Sequence, residues 1–99
     1  MKVSDFRKHL SMLTTSDKSV VAIISKCLSI ERKINIDLDD VVVDEEKTYQ
    51  ALLKVQTELN DKSIHGVYQN ALRKYYFFIN GFQFPSIKTY EQKKERSHQ

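Results

Sequence analysis

The chain has 99 residues, 40% of them hydrophobic, with two glycines, one proline and no tryptophan; this suits one domain with one modest core and argues against a turn-rich β-sandwich or barrel. The formal net charge of +3 is segregated: residues 1–36 carry seven Lys/Arg against three Asp/Glu, residues 37–61 two against eight, and residues 62–99 seven against two. A basic first and last third around an acidic middle suggests one cationic face toward a polyanion, although from charge alone an unevenly charged, solvated surface is the simpler reading.

The opening MKVSDFRKHL lacks an apolar h-region, so no signal peptide is expected. No apolar run approaches the roughly 20 residues that span a bilayer. Cys27 is the single cysteine, which excludes an internal disulfide and fits a reducing, cytoplasmic compartment.

In chain order, SDFRKHLSMLT predicts a first helix capped by Ser4, with Phe6, Leu10 and Leu13 on one stripe. TTSD breaks it, because these side chains bond nearby backbone N–H groups. A second helix runs from about Asp17 to Lys33, capped by Thr15 or Ser16. Its broad apolar face is Val20, Ile23, Ile24, Cys27, Leu28, Ile30 and Ile34. Cys27 on that face reads as a buried, inert thiol rather than a nucleophile.

NIDLDDVVVDEE follows. The three valines read as a strand in isolation, but the chain offers no second strand to pair with. An extended or single-turn connector that plugs the core with Ile36, Leu38 and Val42 is the better expectation. Asp44 then caps a third main helix with Glu45 and Glu46 in its first turn, where carboxylates suit the helix dipole. Its apolar positions are Tyr49, Leu52, Leu53, Val55 and Leu59, and it ends near Asn60. A fourth main helix starts after Asn60 or Asp61 and stops at Gly81. Pro85 and Ser86 open a last short helix with Ile87 and Tyr90 as apolar points, and the polar KKERSHQ end frays. The expected architecture is all-α: a compact four-helix orthogonal bundle over residues 1–81 and a C-terminal helical extension over 82–99.

RKYYFFING, Arg73 to Gly81, holds four consecutive aromatic residues. At about 100° per residue they cannot share one core face. With Tyr75 facing the core, Ile64, Tyr68, Ala71, Leu72 and Ile79 share its stripe, with Phe78 at the edge. Tyr76 falls at the boundary. Phe77 falls almost opposite, among Lys62, Gln69, Arg73 and Asn80. Either the tail residues Phe82, Phe84, Ile87 and Tyr90 fold back over Phe77, or the ring meets a partner.

No reaction chemistry stands out. His9, His65 and His98 are far apart, without metal-ligand spacing. DLDDVVVDEE imitates the start of a calcium loop but has Val41 at the fifth position and Val42 where glycine is required. There is no glycine-rich phosphate loop and no nucleophile elbow. The expectation is a protein that is not an enzyme, with no metal, no cofactor and no membrane partner.

Two phrases resemble a known module. SDKSVVAIISKCLSIERKIN is similar to the second helix of the SAM-like, core-binding N-terminal domain of tyrosine recombinases and phage integrases. SIHGVYQNALRKYYFFING is similar to that domain's last helix, through Tyr68, Ala71-Leu72-Arg73-Lys74, Tyr75 and Ile79-Asn80-Gly81. The resemblance covers roughly residues 3–81. It implies a module that clamps duplex DNA while a separate domain does the chemistry. Since the chain ends where that domain would begin, it also implies binding without catalysis, in a protein of phage or mobile-element type. The acidic third main helix departs from what a wholly DNA-wrapped domain would want.

Three functions are therefore open. In the first, duplex DNA is bound by Lys18, Lys26, Arg32 and Lys33 of the second helix with Lys62, Arg73 and Lys74 of the fourth. There Gln69, Asn70 and Arg73 are the types that read base edges, and Lys88, Lys93, Lys94 and Arg96 add phosphate contacts. In the second, a homodimer or a phage or host protein is bound through Tyr76, Phe77, Phe82, Phe84, Ile87 and Tyr90. In the third, the chain competes with full recombinases for DNA or subunits.

Overall fold

The computed structural model describes residues 1–13, 16–61 and 66–97 of the chain. It is all-helical, with no strand among the described residues: α1 (Val3–Leu13), α2 (Asp17–Ile34), α3 (Leu38–Val41), α4 (Glu45–Glu58), α5 (Val67–Asn80) and α6 (Ile87–Ser97).

Helix ends follow local chemistry. α1 begins one residue ahead of the expected cap, with the Phe6 N–H bonded to the Lys2 carbonyl, so Ser4 lies inside the helix. Ser16 caps α2, its Oγ accepting from the Ser19 N–H at 3.3 Å. Arg32 and Lys33 close the last turn, where cations oppose the negative end of the dipole. Asn35 then turns left-handed at φ 59°, a conformation asparagine tolerates better than most residues. Asp37 caps the single turn of α3 through the Asp39 N–H, and Asp44 caps α4 through the Lys47 N–H at 2.9 Å. Gly81, at φ 81°, ends α5 by donating to the Phe77 carbonyl at 2.8 Å.

The expected start of the fourth main helix after Asn60 or Asp61 falls on residues 62–65. The described helix begins at Val67, and residues 62–65, with Ile64 and His65, lie outside the described residues. Asp61 reaches across, its carboxylate accepting from the Gln69 N–H at 2.8 Å. A Cβ at Gly66 would stand 2.5 Å from that carboxylate, so glycine is needed for the close approach.

α2 and α5 form the main helix pair, with α1 and α4 packed beside them. Val20, Ile24, Cys27 and Ile30 face inward from α2, against Phe6, Leu10, Leu72 and Tyr75 in one cluster. Leu38 and Val42 are fully buried, so the valine run is the single-turn plug and not a strand. Two expected core leucines are outside: Leu13 is 64% exposed at the end of α1, and Leu28 is 40% exposed at the edge of the α2 face. The tail joins the same core through Phe84 and Tyr90.

Cys27 is buried, and its Sγ donates to the Ala71 carbonyl at 3.3 Å. Burial pushes the thiol up to about 12, with the Glu31 carboxylate adding to the effect. A thiol-directed reagent at neutral pH is therefore expected to leave the folded protein unmodified and to label Cys27 fully in denaturant. Labelling of the native protein at the rate of the unfolded chain would contradict this inert packing. No helix among the described residues is long and apolar enough to cross a membrane.

Candidate nucleic-acid interface

Lys18, Arg32 and Lys33 are exposed on α2, and Lys26 is half-buried on its flank toward α5. None of the four makes an ion pair with a carboxylate among the described residues. Lys26 and Lys33 are seven residues apart, so two helical turns bring them to one side. Both meet the Tyr68 ring in the first turn of α5, with ammonium-to-centroid distances of 5.0 and 5.6 Å. The ring's negative face attracts both cations. Tyr68 is half-buried, so its expected core role is only partial. Its part in the basic face escaped the helical projection, which cannot show that α2 places lysines over that ring.

The α5 candidates divide. Asn70 and Lys74 are exposed. Gln69 is 9% exposed, not on a solvated face. Its side-chain amide donates to the Asp61 carbonyl and accepts from Gln56 Nε2 at 3.0 Å, so it is committed to joining α4 to α5. Arg73 is half-buried, and its Nη1 donates to the Phe84 and Pro85 carbonyls at 3.0 Å each. Its guanidinium also lies 5.7 Å from the centre of the Phe84 ring. Burial lowers its pKa from the ordinary arginine value. Arg73 thus fastens the tail rather than standing free to read a base. Lys62 and the side chain of Arg96 lie outside the described residues.

The aromatic end of α5 is covered differently from the expectation. Tyr76 is 2% exposed, because Phe82 and Phe84 meet it edge-on at 5.7 and 5.1 Å. The tail rings therefore close over Tyr76. Phe77 is half-buried beside His9 of α1, at 5.9 Å between ring centres, and Phe78 packs on Phe6 and His9. Among the six expected interaction residues, Tyr76, Phe84 and Tyr90 are buried, Phe77 and Ile87 are half-buried, and Phe82 is 53% exposed.

The acidic stretch has internal work. Glu46 accepts from Lys94 Nζ at 3.0 Å, from the Tyr90 hydroxyl at 3.0 Å and from Gln50 Nε2 at 3.2 Å, and these bonds hold its carboxyl below the usual range. The Tyr49 hydroxyl donates to Glu91 at 2.7 Å, and Lys94 sits 4.9 Å over the Tyr49 ring. Lys94 is thus drawn to α4, while Lys88 and Lys93 are exposed. Glu46 and Tyr49 thus hold α6 against α4. Among the described residues, no group of three or more His, Cys, Asp or Glu side chains could hold a metal ion. Comparison with protein-family models, curated proteins and solved structures gave no match for this chain.

Proposed function

We propose that this chain is a small non-catalytic DNA-binding protein that contacts the duplex backbone through the outward face of α2. The observation carrying this reading is the pair Lys26 and Lys33 held over Tyr68, flanked by Lys18 and Arg32 with no carboxylate partner among the described residues. From Lys18 to Lys33 the helix rises about 22 Å, enough to track several successive phosphates. With Gln69 and Arg73 committed internally, the contacts are mainly electrostatic, which gives affinity and register before sequence choice. The resemblance to the core-binding domain of tyrosine recombinases supports the same role. On it rest the finer proposals of a SAM-like orthogonal arrangement and a phage or mobile-element setting.

A salt titration of duplex binding, read by fluorescence anisotropy, tests this. Four phosphate contacts predict a slope of log K against log salt of about −3.6. A slope near zero, or no binding at low salt, would rule the reading out.

A further inference from the structure

A groove of about 620 Å³ runs between α1, the outer face of α5 and the 82–85 segment. Leu13, Phe77 and Phe84 supply its apolar surface and Arg73 and Lys74 its positive charge; among the described residues no carboxylate lines it. Lys74 makes no ion pair among the described residues. The groove thus asks for an apolar tip with negative charge around it. The chain carries such a tip in the turn between α3 and α4. Val43 is 69% exposed there, and Asp40, Asp44 and Glu45 around it are all exposed; Asp40 is paired with Lys47 at 3.6 Å and Asp44 caps α4, which leaves Glu45 as the carboxylate turned to a partner.

That turn cannot swing into its own groove. Val41 and Val42 are buried on its inner side. The Val42 carbonyl accepts from Asn80 Nδ2 at 2.9 Å, and the Val41 carbonyl from Thr48 Oγ1 at 3.0 Å. The Asn80 bond fixes the turn to the last turn of α5, one turn beyond Phe77 in the groove. Turn and groove therefore border the same end of one helix, and a two-fold axis between them would let two copies exchange turns reciprocally.

We propose that this groove receives the Val43 turn of a second copy of the chain, giving a two-fold dimer. Val43 packs against Phe77 and Leu13, while Glu45 approaches Lys74. The contact is small and rimmed by charge, so the dimer is weak and salt-sensitive. This inference stands apart from the DNA reading, which uses the α2 face.

Sedimentation equilibrium over a concentration series, at low and high salt and without DNA, tests it. A reversible monomer–dimer equilibrium that weakens with salt is expected. Val43→Asp, which sets a carboxylate against the Phe77 and Leu13 side chains, and Lys74→Glu, which faces Glu45 with a like charge, should each raise the dimer dissociation constant at least about tenfold. Both residues are exposed, so circular dichroism and thermal melting should match the unsubstituted protein. Adding Glu45→Lys to Lys74→Glu should recover part of the loss. A monomer at all concentrations in low salt would overturn the proposal. So would a dimer indifferent to both substitutions, or open-ended growth beyond the dimer.

Discussion

Replacing Tyr75 with alanine is expected to cost about 3–5 kcal/mol, the largest loss of any single substitution considered. The ring is fully buried, edge-on to Phe6 at 4.9 Å and 5.8 Å from Phe78, so its removal opens a cavity where α1 meets α5. In a domain of this length such a loss lowers the melting temperature by roughly 15–30 °C. Tyr75→Phe separates the hydroxyl from the ring. That hydroxyl donates to Asp39 and accepts from the Lys2 N–H at 2.9 Å. Removing it leaves both groups short of a partner, at about 1–3 kcal/mol.

The phenylalanine variant also has a pH signature. The Tyr75 hydrogen bond is the largest influence holding the Asp39 carboxyl below its ordinary value, and the Met1 ammonium 3.1 Å away adds to it. A depressed carboxyl contributes stability that is fully present above the unfolded carboxylate range and is lost as pH falls through the folded value. The gap in stability between Tyr75→Phe and the unsubstituted protein should therefore be widest at neutral pH and shrink toward about pH 2. Urea denaturation at several pH values measures it. A gap that stays constant across that range would show that Asp39 gains nothing from the hydroxyl.

The parts of this fold that were legible in the sequence are those decided within a few residues. Ser16, Asp44 and Gly81 bound their helices because capping and left-handed turns are local chemistry. Cys27 is buried where the apolar period of α2 put it, and of the expected plug Leu38 and Val42 are buried and Ile36 half-buried. What the period could not give is which distant group arrives at a boundary position. Gln69 sits on a polar arc, yet Asp61 folds back to satisfy it, and a glutamine with both amide ends bonded can be buried. Tyr76 leaves the boundary because two tail rings close on it. Phe77 gains His9 from α1, 68 residues earlier in the chain, rather than the tail. Arg73 lies beside Phe77, where it read as a ligand contact; its guanidinium binds two tail carbonyls instead. For the candidate site the cations of α2 were legible one by one. The convergence of Lys26 and Lys33 on Tyr68 was not, since it depends on how α2 crosses α5.

That convergence yields the second large expectation: the double charge reversal Lys26→Glu with Lys33→Glu should weaken duplex binding by at least about 100-fold at low salt. Each lysine lost removes one phosphate neutralisation, and each glutamate adds a repulsion at the same place. The salt slope should become shallower by about 2, one contact for each position. Because phosphates carry no base identity, the loss should be nearly the same for unrelated duplex sequences. Lys54→Glu is the matched control: it is exposed on α4 and is not one of the two lysines over Tyr68, and it should shift affinity only about two- to threefold. Tyr68→Ala should fall between the two, since the lysines remain but lose the ring that places them. The order of these three variants discriminates a shaped α2 face from a diffuse attraction to a chain of net charge +3. Diffuse attraction would make Lys54→Glu cost half of what the double reversal costs and leave Tyr68→Ala silent. A shaped face gives the double reversal nearly the whole effect.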